Sequence, residues 1–114
     1  MGKKIATVIT DMFEDVEYTE PAEAFKEAGH EVITIEKEKG NKVTGKNKET
    51  TLTIDHGIED VNVDDFDALF IPGGFSPDIL RADDRFVKFA KGFMDAKKTV
   101  FAICHGPQLL ITAK

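Results

Sequence analysis

Cys104 is the only cysteine of the 114 residues, and its surroundings are those of a nucleophile. It stands in Ala102-Ile103-Cys104-His105-Gly106, between the apolar run Thr99–Ile103 and a segment, Gly106–Ala113, that reads as the start of a helix. Small residues two positions either side of a nucleophile mark a sharp strand-to-helix elbow, where the backbone is too cramped for bulk. The helix behind it offers free N–H groups and the positive end of a dipole, and both favour a thiolate. Free cysteine is often just a small buried hydrophobe; the elbow spacing argues for the nucleophile.

Three other groups are candidates to serve that sulfur. Gly73-Gly74 follows an apolar run and reads either as a tight turn or as an oxyanion hole, in which the Gly74 and His105 N–H groups face one developing negative charge. The acidic run Asp11, Glu14, Asp15, Glu17 suits a helix N-terminus. A glutamate among them, kept protonated by burial, would donate a hydrogen bond to the thiolate and lower its pKa. His105 acts either as a general base through its side chain or only through its backbone N–H, since adjacent residues point apart. His30 and His56 read as surface residues, and Glu36–Lys42 as a solvated turn with Glu36 closing a strand.

The elements that must position these groups alternate along the chain. Lys4–Thr10, His30–Glu36, Ala68–Ile71 and Thr99–Ile103 are short β-rich runs of the kind buried in parallel sheets. The first two are separated by a helical stretch with Ala24, Phe25 and Ala28 apolar and Gly29 as its stop; Pro21 is either a first-turn proline or a kink. Ile79, Leu80, Phe86, Phe89, Ala90, Phe93 and Met94 recur at helical spacing between Pro77 and Ala96. Lys42–Thr44 and Thr51–Ile54, flanked by Gly40, Asn41 and Gly45, predict a small hairpin. Strands alternating with helices imply βαβ units, a parallel sheet and helices on both faces. In such sheets function gathers at the carboxyl ends of the strands, here Asp11–Glu17, Gly73–Ser76 and Cys104–His105.

Composition narrows the classes. The net charge of −6 and the absence of a basic stripe argue against nucleic-acid binding. The opening apolar run is too short for a membrane span and lacks a signal-peptide pattern. One cysteine forms no internal disulfide, and no zinc ligand set is evident. The expectation is a cytoplasmic protein of one domain, residues 1–114, without metal or cofactor.

"FEDVE", "DALFIPGGFSPDILR" and "FAICHGPQLLI" resemble the ThiJ/PfpI family, which includes PfpI-type intracellular proteases and the Parkinson-associated deglycase. The resemblance runs from the first strand to Lys114. It implies a flavodoxin-like α/β fold, related to class I glutamine amidotransferases, with a doubly wound parallel sheet sandwiched by helices. It also implies that the C-terminal part of the family fold is absent from this chain. The family's nucleophile falls on Cys104, its neighbouring histidine on His105 and its oxyanion glycine on Gly74. The carboxyl partner of the sulfur falls on Glu17, with Glu14 close by. The third acid of PfpI-type proteases, supplied by a neighbouring subunit, falls on Asp78, where those proteases have Glu.

The function so implied is a stress-response enzyme in which Cys104 attacks a carbonyl of an aldehyde such as methylglyoxal, of its protein adducts, or of a peptide bond. An amidotransferase would need a histidine after the elbow, and none follows His105. The non-enzymatic alternative is a redox-sensing or chaperone-like protein that uses Cys104 oxidation. Self-association into a homo-oligomer is expected, because relatives cover with further strands and a helix the surfaces this chain would leave bare.

Overall fold

The computed structural model describes residues 2–73 and 76–102, with side chains of Pro77 and Asp78 excepted. Five strands form one parallel sheet in the order β5-β2-β1-β6-β7: β1 Lys4–Val8, β2 Glu31–Glu36, β5 His56–Gly57, β6 Ala68–Ile71 and β7 Thr99–Ala102. The register aligns Ala6 with Ile33 and Leu69, and Ile71 with Ala102. The expected parallel α/β sheet is therefore present, and every pairing within it is parallel.

Alternation along these strands divides the core in two. Ala6, Val8, Ile33, Ile35, Leu69 and Ile71 point to the face covered by α2 (Ser76–Leu80) and α3 (Asp84–Asp95), where they meet Leu80, Phe86, Phe89 and Phe93. Ile5, Ile9, Ala68 and Phe70 point to the face covered by α1 (Asp15–Glu27), where they meet Phe13, Tyr18 and Ala22. Phe13, Phe70, Phe86 and Phe93 are fully buried, and each such side chain contributes roughly 2–3 kcal/mol by leaving water.

The buried stripe of α1 is Tyr18 and Ala22, with Phe25 half-buried, while Ala24 and Ala28 of the expected apolar set are exposed. Position i, i+4, i+7 decides this, and two alanines are too small to draw the helix the other way. Pro21 lies within the helix, where it supplies no N–H for the carbonyl one turn back. The stretch expected as one helix from Pro77 is two. Asp83 breaks it: its backbone N–H closes a turn onto the Leu80 carbonyl, and its side chain caps α3 by accepting the Arg85 N–H.

β3 (Lys42–Thr44) and β4 (Thr51–Thr53) form the expected hairpin, antiparallel and outside the main sheet. β5 carries no strand signal in the sequence, since two residues hold no periodicity; it forms because His56 and Gly57 pair with Ile35 and Glu36. Glu36 is buried, not solvated, because Thr10 Oγ1 (3.1 Å) and Asn41 Nδ2 (2.8 Å) donate to its carboxylate. The expected helix Gly106–Ala113 lies outside the described residues.

Candidate active site

The sheet brings three chain segments to one edge. β1 ends at Val8, β6 at Ile71, and β7 at Ala102, two residues before Cys104 in the sequence. β1, β6 and β7 are consecutive neighbours, so the carboxyl ends of the three strands lie side by side, the place where open α/β sheets carry their chemistry. Two hydrogen bonds tie the first two segments together. The Glu14 N–H donates to the Gly73 carbonyl at 3.0 Å, and the Thr10 N–H donates to Ser76 Oγ at 2.9 Å. Ser76 is fully buried and opens α2, which also carries Asp78.

Of the residues selected from sequence, Glu14 and Glu17 are described in full. Glu14 is the N-cap of α1, but its side chain makes no capping bond. It is turned to the hairpin instead, 3.1 Å from Lys46 Nζ and accepting from Asn47 Nδ2 at 3.3 Å. Glu17 lies in the first turn of α1, half-buried, with Oε1 screened from solvent. Both therefore occupy the end of the helix that follows β1. Gly74, Cys104 and His105 lie outside the described residues, as does the side chain of Asp78.

Asp15, whose place in the acidic run suits a helix N-terminus, is buried and held by several hydrogen bonds. It is 4% exposed, and its carboxylate accepts backbone N–H groups from Asn47 (2.9 Å), Glu49 (3.1 Å) and Thr50 (2.8 Å). Burial alone would raise its pKa, but the donated bonds from Asn47, Thr50, its own amide and Glu49 outweigh burial and hold it below the ordinary 3.8. No local signal marks this role, because its partners lie 32 to 35 residues away.

On the other face of the sheet, a cleft of about 480 Å³ opens among Thr10, Glu36, Leu80 and Asp83. Among the described residues no group of histidines, cysteines and carboxylates is arranged to hold a metal ion, and no helix is long and apolar enough to cross a membrane.

A sequence profile of the DJ-1/PfpI family, described under that name, matches residues 3–114. The chain belongs to the DJ-1/PfpI family. Similar proteins include General stress protein 18 of Bacillus subtilis (strain 168), 71% identical over 114 residues, covering 100% of this chain and 66% of that protein. Protein/nucleic acid deglycase 2 of Escherichia coli (strain K12) is 60% identical over 113 residues, covering 99% of this chain and 66% of that protein. This DJ-1/PfpI chain thus spans 66% of the length of these two curated relatives. Its fold is similar to the crystal structure of a two-domain protein with DJ-1/ThiJ/PfpI-like and ferritin-like domains from Anabaena variabilis. The TM-score is 0.93 at 36% identity, covering 97% of this chain and 32% of that one.

Proposed function

We propose that this DJ-1/PfpI chain is the nucleophile-bearing part of a cysteine-dependent stress-response enzyme, with reactive aldehydes and their adducts on proteins as its substrate class. The Cys104 thiolate adds to the substrate carbonyl carbon, and the carbonyl oxygen takes up the electron pair as an oxyanion. The N–H groups of Gly74 and His105 receive that charge, and Glu17 is the side chain whose hydrogen bond to the sulfur favours the thiolate beforehand. Peptide-bond cleavage begins with the same addition, and there Asp78 would act across a subunit boundary in an oligomer.

One observation carries the reading: the 3.0 Å hydrogen bond from the Glu14 N–H to the Gly73 carbonyl. It fixes the start of α1, which bears the glutamates, against Gly73 at the end of the segment that follows β6. A relative named a deglycase is 60% identical and one named a putative cysteine protease is 61% identical, so carbonyl addition common to both substrate classes is what the comparisons support. The test is loss of methylglyoxal, and release of arginine from its methylglyoxal adduct, by wild type and by Cys104→Ala. Turnover by wild type alone is the expected result. No turnover by either, together with ready oxidation of Cys104 by peroxide, would replace the enzyme with a redox sensor.

A further inference from the structure

We propose that the β3–β4 hairpin is a positioning element of the active site and that Asp15 is the residue through which it acts; this rests on the thiolate reading of Cys104 given above. Each of the five residues from Asp11 to Asp15 is bonded to the hairpin. Asp11 Oδ1 accepts the Thr44 N–H at 2.9 Å, and the Met12 N–H donates to the Thr44 carbonyl at 2.9 Å. The Phe13 carbonyl accepts the Lys46 N–H at 2.8 Å, and Glu14 meets Lys46 and Asn47. Asp15 then closes the series, with the turn of residues 45–50 wrapped around its carboxylate through three amide N–H groups.

Two features separate this arrangement from ordinary packing. The hairpin is already anchored by apolar burial, since Val43 and Ile54 are 2% and 1% exposed in the core beneath α1. The convergence of three further bonds on a single side chain is not needed to hold it down. Second, α1 begins without a side-chain cap of its own at Glu14, so its first turn takes its placement from elsewhere. The hairpin fixes it at Asp15 on one side, and the Gly73 carbonyl fixes it at Glu14 on the other. Glu17 follows Asp15 by two residues in that same turn. A hydrogen bond to sulfur weakens steeply with distance and angle, so a small displacement of this turn is felt at the thiolate. The hairpin also holds Met12 at φ 68, a left-handed conformation that a residue with a Cβ adopts only when its surroundings compel it.

Asp15→Asn tests the proposal from the helix side: it preserves size but turns an N–H donor toward amides that need an acceptor. Gly45→Ala tests it from the hairpin side, because a Cβ at Gly45 would run into the Asp15 carboxylate. The readout is the rate at which iodoacetamide alkylates Cys104 across pH, with folding confirmed by circular dichroism. Each variant is expected to raise the thiol pKa by about one unit, a tenfold loss of thiolate at pH values below the wild-type thiol pKa. In a Glu17→Ala background the same substitutions are expected to change the rate less than about twofold, because the residue they act through is gone. An acidic thiol in wild type, unchanged in whichever variant folds, overturns the positioning role while leaving the nucleophile intact. An equal effect with and without Glu17 overturns it too, by reducing it to general destabilisation. A wild-type thiol with the reactivity of free cysteine overturns both this inference and the functional reading, and is recognised before any variant is made.

Discussion

The reactivity of Cys104 depends on how much of it is thiolate at the working pH, and Glu17 is the side chain expected to decide that. Cys104 is expected to titrate below the ordinary thiol value of about 8.5, which a pH series of alkylation rates measures. Glu17→Gln is expected to retain most of the effect, and Glu17→Ala to lose it, because an amide donates a hydrogen bond as a protonated carboxyl does and a methyl does not. Equal thiol pKa values in the two variants would remove Glu17 from the site. Glu14 has different work. Its pair with Lys46 leaves the two side chains 20% and 36% exposed, and pairs so open to water are worth at most about 1 kcal/mol. Its structural weight lies in its backbone N–H on Gly73.

α1 and α3 end by the same device, and one of them has the wrong residue for it. After α1, the Gly29 N–H bonds the Lys26 carbonyl and the His30 N–H bonds the Phe25 carbonyl, with Gly29 at φ 88. After α3, Lys97 and Lys98 bond Met94 and Phe93 in the same pattern, but Lys97 is held at φ 57. Left-handed backbone costs a residue with a Cβ roughly 1–2 kcal/mol, and glycine loses more freedom on folding. Lys97→Gly is therefore expected to stabilise by about 0.5–1 kcal/mol, read as a higher urea midpoint at constant slope.

The caps and clasps also set the acid limit. Asp83, through its hydrogen bond from Arg85, and Asp15, through its backbone donors against burial, both titrate below 3.8 when folded. A carboxyl depressed on folding gives stability that is complete above its unfolded pKa and lost as pH falls through the folded one. Stability is expected to be level toward neutrality and to drop below about pH 4, with Asp15→Ala flattening that drop.

At the scale of the molecule, the sheet separates two cores. Phe13 belongs to the core under α1 and Phe93 to the core under α3, and both are fully buried. Phe13→Leu and Phe93→Leu are each expected to cost about 1–2 kcal/mol. Sharing no partner, they should add to within about 0.5 kcal/mol in the double variant. Urea unfolding of the four proteins checks this, and a larger coupling would mean that the sheet transmits strain between its faces.

The sequence by itself determined what is local. β-branched runs marked β1, β2, β6 and β7 to within two residues, and Gly40, Asn41 and Gly45 marked the hairpin, because period and turn chemistry are written over a few positions. The elbow spacing around Cys104 makes it the candidate nucleophile for a similar reason: a cramped turn restricts its immediate neighbours. Only the tertiary structure decided that residues 11–15 dock on residues 44–50, that Glu36 is buried under Thr10 and Asn41, and that β5 exists. Those contacts join residues far apart in the chain, and at each one the deciding energy comes from a partner that no local pattern announces. Asp15 is the clearest instance. One carboxylate in an acidic run looked like its neighbours until the fold placed three amide donors around it.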